Sequence, residues 1–132
     1  MKVAFASSDG MKIDLHFGTA SAFHLWEIGV ETACYLGVIE AGNVDDERED
    51  KIVARADALQ DCAIVYSLQI GGPAAAKLVA RHVHPMKTGK ELPIRQVIAD
   101  LRRVLIGRPP PWLRKALGHA APQLNEVQEA EP

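Results

Sequence analysis

Short apolar runs separated by turn-forming residues open the chain and predict three β-strands. Lys2–Ala6 is apolar and ends at the turn formers 7–10, which predicts a buried strand that runs into a loop. Residues 21–28 and 33–40 form two further apolar runs. The short polar stretch 29–32 between them predicts a hairpin. We therefore expect the first three strands to be antiparallel neighbours.

From residue 45 onward, segments with helical spacing of apolar residues alternate with strand-like segments. The predicted helices are an acidic stretch from Asp45 that continues to Leu59, a helix opened by Gly71-Gly72-Pro73, a strongly periodic helix from Pro93 to Leu105, and a short helix over 112–118. The predicted fourth and fifth strands are Cys62–Ser67 and His84–Lys87, and Pro85 indicates an edge position for the fifth. This order is typical of a three-layer α/β domain with a mixed five-stranded sheet.

Composition and charge narrow the class of protein. The chain has 132 residues, of which 48% are apolar, and a formal net charge of −2. We expect one cytoplasmic, monomeric domain over residues 1–118 that folds without disulfides, followed by a flexible C-terminal tail over 119–132. The charge balance argues against a nucleic-acid partner, and no window approaches the roughly 18 apolar residues of a membrane span. Cys34 and Cys62 are expected to be reduced thiols in the core.

Ligands of open α/β sheets lie beyond the carboxyl ends of the parallel strands. Here that edge is expected to carry the loops 7–19, 67–73 and 87–92. Asp14 and His16 are two positions apart, so an extended segment would point both to one side, where a carboxylate can orient an imidazole that binds a metal. The alternative is a solvated loop whose aspartates cap backbone amides.

Gly71-Gly72-Pro73 opens a predicted helix and offers unpaired backbone N–H groups to an anion. It is not a P-loop, because Ala76 and Leu78 stand where that motif needs glycine and serine or threonine. The alternative interpretation is tight packing between a strand and a helix that requires glycine.

Several other residues admit a structural and a chemical interpretation. His82 and His84 have a spacing found in metal sites, but no third ligand is near in sequence, so a helix end followed by a strand start is the favoured interpretation. Cys62 would be a soft ligand for iron only if its thiol faced the loop edge. His24 is expected to be buried and hydrogen-bonded. A magnesium site at Asp9 and Asp14 would need a third carboxylate.

The motifs together resemble the dinitrogenase iron-molybdenum cofactor biosynthesis family. The resemblance rests on Val3-Ala4-Phe5-Ala6-Ser7-Ser8-Asp9-Gly10, Asp14-x-His16-Phe17-Gly18-x-Ala20-x-x-Phe23, Cys62-Ala63-x-Val65-Tyr66 and Ile70-Gly71-Gly72-Pro73-Ala74-Ala75. The ending Pro109-Pro110-Pro111-Trp112-Leu113-Arg114-Lys115 resembles X-type members of that family. The similarity covers residues 2–118, and it departs from many relatives at His82, where they have glycine.

The resemblance implies a ribonuclease-H-like α/β/α fold and a non-enzymatic carrier in nitrogenase cofactor assembly. The cargo would be an iron-sulfur precursor cluster, received from the radical-SAM cofactor enzyme and passed to the scaffold complex; apo-dinitrogenase is a further partner of related carriers. The histidine of the His-Phe-Gly motif, His16, is the implied metal contact. Backbone N–H groups at Gly71 and Gly72 could add a non-covalent contact to an anionic cluster. We therefore expect the cofactor-binding residues to be Ser8, Asp9, His16, Phe17, Gly18, Thr19, Gly71 and Gly72.

Two rival functions stay open. One is a protein that binds no cluster and regulates dinitrogenase maturation through protein contacts. The other is a metal-dependent nuclease or phosphohydrolase on the same fold. Trp112 is expected to pack on the sheet, and Arg114 and Lys115 are expected to form the cationic end of the last helix.

Overall fold

A five-stranded mixed sheet forms the centre of the fold in a computed structural model, which describes residues 1–41 and 49–120. The strands are β1 (Lys2–Ala6), β2 (Lys12–Ile13), β3 (Ala22–Ile28), β4 (Ala33–Glu40), β5 (Ile64–Ser67), β6 (His84–Lys87) and β7 (Leu92–Pro93). The helices are α1 (Glu49–Ala58), α2 (Gly72–Ala80), α3 (Ile94–Ile106) and α4 (Pro111–Ala120), with a 3₁₀ turn at Phe17–Thr19. The predicted helix start at 45–48 and the tail residues 121–132 lie outside the described residues.

The strand order is β4-β3-β1-β5-β6. β1, β3 and β4 are antiparallel neighbours, whereas β5 and β6 run parallel to β1, as the sequence predicts. Pro85 lies in β6, at the edge of the sheet, as predicted. Proline has no backbone N–H, and an edge strand tolerates this because one of its sides has no partner strand. The prediction of an α/β fold with a mixed five-stranded sheet is confirmed. Among the described helices, none has the length and apolar character needed to span a bilayer.

Successive side chains of β1 point to opposite faces of the sheet, and each face has its own hydrophobic core. Val3 and Phe5 face the core that α3 and α4 cover, and Ala4 and Ala6 face the core that α1 and α2 cover. The Phe5 ring stacks on Tyr66 with a centroid separation of 5.3 Å, a geometry that adds about 1 kcal/mol beyond the burial of area. Helices on both faces make the fold a three-layer α/β/α domain.

The last helix contacts the core through a leucine and the sheet through a tryptophan. Leu113 is buried in the α3 side of the core, whereas Trp112 stays 37% exposed and stacks on His84, the first residue of the edge strand β6. Trp112 thus packs on the sheet as predicted, but at its edge, because α4 presents the leucine, one position later, to the core.

Cys34 is also placed differently from its prediction. It lies exposed on β4, which is an edge strand, whereas Cys62 is buried as expected. Apolar character alone does not show whether a second layer covers a strand, and β4 keeps much of its surface open to solvent.

A second, two-stranded sheet is absent from the sequence prediction, which treats 11–18 as loop. β2 pairs with β7, and the N–H of Ile94 donates to the carbonyl of Met11 at 2.9 Å. This pairing ties the loop after β1 to the start of α3. The loops 7–19, 67–73 and 87–92 therefore lie together at the carboxyl edge, as predicted.

The turn between α2 and β6 requires a left-handed backbone at His82, whose φ is +62°. The N–H of His82 donates to Val79 and that of Val83 donates to Leu78, both at 2.9 Å, which is the hydrogen-bond pattern of a Schellman motif. Glycine is the usual residue at such a position, because a β-carbon is strained there by about 1–2 kcal/mol. The histidine at position 82 is thus expected to lower the free energy of unfolding relative to glycine.

We expect His82→Gly to raise the free energy of unfolding by about 1 kcal/mol, because it removes the left-handed strain. Urea denaturation measures this change. His82→Ala keeps a β-carbon and should bring no comparable gain; an equal gain in both variants would contradict the strain argument.

Candidate functional site

Two main-chain hydrogen bonds join the loop after β1 to the loop after β5. The N–H of Phe17 donates to Gln69 and the N–H of Leu68 donates to Leu15, each at 2.9 Å. The loop after β6 joins the same assembly, because the N–H of Gly89 donates to Leu68 at 3.0 Å. The three loops therefore form one continuous edge.

A groove of about 430 Å³ opens at this edge, and we call it the carboxyl-edge groove. Its described lining consists of His16, Gly18, Thr19, Ile52, Gln69, Ile70, Gly71, Pro73 and Ala74. Of the predicted site residues, His16, Gly18, Thr19 and Gly71 thus come together. Ser8, Asp9, Phe17 and Gly72 do not line it.

His16 combines an exposed side chain with a fixed backbone. It precedes the 3₁₀ turn in an extended conformation, with φ −75° and ψ 147°, and its side chain caps no backbone group there. The next residue, Phe17, is fully buried and packs against Phe23 with ring centroids 5.6 Å apart. Phe17 is therefore an anchor for His16, not part of the groove surface.

Asp14 does not orient His16, so that part of the metal-ligand interpretation is wrong. Its Oδ1 accepts the N–H of Ser8 at 2.9 Å, and its Oδ2 accepts the hydroxyl of Ser8. Both carboxylate oxygens thus hold the start of the loop, which matches the alternative interpretation of aspartates that cap backbone amides.

Asp9 is likewise a loop-forming residue. Its Oδ1 accepts the N–H groups of Met11 at 2.8 Å and Lys12 at 3.2 Å, and the hydroxyl of Ser7 at 3.2 Å. The hydrogen bond from Met11 is the largest cause of a lowered pKa for this carboxyl. Ser8 and Asp9 shape the loop beside the groove without entering the lining.

Gly10 adapts the same loop to the sheet beneath it. Its φ is +77°, and a β-carbon there would come within 3.0 Å of the His24 ring. His24 is half-buried and hydrogen-bonded through Nδ1 to the Tyr35 hydroxyl at 3.0 Å, so the predicted bonding is confirmed and the predicted burial holds only in part. The loop therefore rests on a side chain held by the edge strand.

Tight packing does not explain Gly71 and Gly72, so that interpretation is wrong. A β-carbon on Gly72 would meet nothing within 4 Å, and one on Gly71 would meet only Pro73 Cδ at 4.0 Å. Gly71 caps the start of α2 with φ −75°, which other residues adopt freely. The glycine at 71 leaves backbone open to the groove beside the positive end of α2.

The residues left undecided by the sequence lie at the other end of the sheet. Cys62, His82 and His84 all border the amino ends of β5 and β6. Burial raises the pKa of the Cys62 thiol to about 12, which keeps it protonated at neutral pH. None of the three joins His16.

No group of three or more His, Cys, Asp or Glu side chains within 1–41 and 49–120 is arranged to hold a metal ion. Asp57 is exposed as predicted, and it accepts a hydrogen bond from Arg81 Nε at 2.8 Å. The third carboxylate that a magnesium site at Asp9 and Asp14 needs is thus not supplied by the described residues.

Five lining residues were not among the predicted site residues, although three of them, Gln69, Ile70 and Pro73, fall in the predicted edge loop 67–73; the other two are Ile52 and Ala74. Gln69 gave a weak signal, since it lies between a strand end and the glycine pair, but Ile52 comes from α1 and only tertiary packing brings it near. Arg55, also on α1, is buried and donates to the Ala20 carbonyl at 3.5 Å, which links this helix to the end of the site loop.

Known proteins match this chain over most of its length. The model of the family described as dinitrogenase iron-molybdenum cofactor matches residues 1–104. A NifX protein of Herbaspirillum seropedicae is 40% identical over 135 aligned residues, covering 98% of this chain and 90% of that protein. A NifY protein of Azotobacter vinelandii is 38% identical over 118 residues, covering 89% of this chain but 48% of that protein, so this chain spans about half the length of that NifY protein.

The crystal structure of PH0822 shares the fold, with a TM-score of 0.63 at 20% identity over 78% of this chain and 91% of that one.

The lowered pKa of Asp9 predicts acid sensitivity of the site loop. A carboxyl whose folded pKa lies below its ordinary value of 3.8 contributes stability that is present above that value and lost as the pH falls through the folded pKa. Denaturant unfolding at stepped pH should show wild type losing its advantage over Asp9→Asn below pH 3.8. Parallel profiles down to about pH 3 would contradict this.

Proposed function

Because the chain belongs to the dinitrogenase iron-molybdenum cofactor family, we propose that it takes part in the biosynthesis of this cofactor as a non-enzymatic carrier of iron-sulfur precursor clusters. The observation that carries the proposal is an exposed imidazole, His16, at the mouth of a groove whose other side is the open backbone at Gly71. The NifX and NifY relatives support the role in cofactor biosynthesis.

His16 supplies the metal contact in this proposal. Imidazole is a suitable ligand for iron, and His16 projects from a backbone that Phe17 anchors. A cluster that must be handed on requires few protein ligands, because a complete set of four thiolates would slow its release. The described residues offer no such set around the groove.

The start of α2 supplies a second, non-covalent contact. Iron-sulfur clusters of this kind carry net negative charge, which backbone N–H groups and the positive end of a helix stabilise. Gly71 keeps this surface free of a side chain. Gly18 and Thr19 complete the groove between His16 and α2.

In this proposal the protein acts as a monomer in the cytoplasm. The chain receives its cargo from the radical-SAM cofactor enzyme and passes it to the scaffold complex, where the cofactor is completed; apo-dinitrogenase is a further proposed partner. The rival nuclease function lacks support from the ligand set around Asp9 and Asp14.

We expect His16→Ala to lower cluster retention at least tenfold and to leave stability unchanged, since the side chain is exposed. Anaerobic titration with isolated precursor cluster, then gel filtration and iron analysis of the protein peak, measures retention. His82→Ala is the matched control, because His82 is an exposed histidine at the opposite edge.

Equal retention by wild type and His16→Ala would show that His16 is not the ligand. Absence of iron from the wild-type peak as well would favour the rival function, a cluster-free protein that regulates dinitrogenase maturation.

Gly71→Ala should weaken cluster retention severalfold, because its methyl group narrows the groove opposite His16. Gly72→Ala is the control, since Gly72 does not line the groove and a β-carbon there meets nothing within 4 Å. Both variants should fold, since neither glycine has a positive φ. The iron assay compares them, and equal losses would count against a specific contact at 71.

A further inference from the structure

A larger groove opens at the opposite end of the sheet, and none of the residues proposed to hold a cluster lines it. We call it the amino-edge groove; its volume is about 800 Å³, and its central lining residues are Lys2, Val79, Arg81, His84, Trp112 and Lys115. They come from β1, α2 with its C-cap, β6 and α4, so the groove crosses the starts of two strands, the end of α2 and the first half of α4. It therefore offers a surface built from several elements.

A flat aromatic platform forms one wall of this groove. The rings of His84 and Trp112 lie 3.8 Å apart at 10° and are nearly parallel. Trp112 is nevertheless 37% exposed, and Val79 is 58% exposed beside the same groove. Burial lowers the pKa of His84, so the imidazole is neutral at physiological pH. Tryptophan is one of the residue types enriched among the side chains that dominate binding energy in protein interfaces.

The charged residues of the amino-edge groove are a second feature, independent of the aromatic platform. The described lining includes the cations Lys2, Arg81 and Lys115 and the carboxylates Glu27 and Asp61. Two of these side chains are already paired, Arg81 with Asp57 at 2.8 Å and Glu27 with the amino-terminal ammonium at 2.7 Å. The remaining lining groups, Lys2 and Lys115 against Asp61, leave the groove with a local excess of positive charge on a chain whose formal net charge is −2.

The two lysines lie on different elements and are not gathered around one point. Lys2 lies on β1, and Lys115 belongs to α4. A single small anion is held best by converging donors, whereas an extended chain with several carboxylates can meet cations one after another. The platform between them would take an apolar side chain of that chain.

We propose that the amino-edge groove binds an acidic peptide segment of a partner protein, with Trp112 as its apolar anchor and Lys2 and Lys115 as its charge contacts. β1 separates this groove from the loop that leads to His16, and its five residues span roughly 17 Å. Occupation of one groove therefore leaves the other open. The proposal stands independently of the cluster that the carboxyl-edge groove is proposed to hold.

Selection from a random dodecapeptide display library against the intact protein tests this proposal. We expect enrichment of peptides with several Asp or Glu residues around an apolar residue. Fluorescence anisotropy of one labelled selected peptide should show at least tenfold weaker binding to Lys115→Glu and to Trp112→Ala than to wild type.

Arg114→Glu is the matched control, because Arg114 is the neighbouring exposed cation on α4 and does not line the groove. It should bind the peptide within about twofold of wild type, and circular dichroism should show that all three variants keep the fold. Loss of affinity that is equal in Lys115→Glu and Arg114→Glu, or a library without acidic enrichment, would overturn the proposal.

Sedimentation velocity tests whether a second copy of the chain, and not a partner peptide, fills the groove. A wild-type dimer that Lys115→Glu converts to a monomer would show that a second copy of the chain fills the groove, which also overturns the proposal. The iron assay on His16→Ala reports separately on the carrier function, so failure of one leaves the other standing.

Discussion

The main-chain hydrogen bonds between the loop after β1 and the loop after β5 are the constraint on which the carboxyl-edge groove depends. They bring Leu15 to Leu68 and Phe17 to Gln69, and His16 lies between the two bonded residues of its loop. Backbone pairing of this kind does not depend on side-chain identity, so the groove is positioned by topology. What the sequence adds is a buried phenylalanine after the histidine and a glycine at the facing helix start.

Most polar side chains of the site loop stabilise the loop itself and are not available to bind a ligand. Asp9, Asp14 and Ser7 use their oxygens on backbone and hydroxyl groups within the loop, which satisfies donors that would otherwise be unpaired. The loop can therefore present one unengaged ring to solvent while its backbone stays ordered. A dense set of polar residues in a sequence is thus as compatible with a well-formed turn as with a ligand set.

The sheet could be predicted from the sequence because apolar runs and helical spacing report burial directly. The meeting of His16 with Gly71 could also be predicted, since the carboxyl ends of parallel strands share one edge. The strands β2 and β7 could not, because two residues carry no period. Cys34 was misjudged for a related reason: apolar character predicts burial only where another layer covers the element, and such coverage is a property of the assembled fold.

The contrast between the exposed ring of His16 and the buried ring that follows it has a kinetic consequence. A surface side chain reorients within picoseconds to nanoseconds, whereas movement of packed backbone takes microseconds or longer. Because Phe17 is fixed in the core, rotation about the His16 side-chain bonds needs no hinge, no lid and no local unfolding. The pace of any ligand exchange at this ring is then governed by the bond being broken and by the arriving acceptor, and the fold itself imposes no delay.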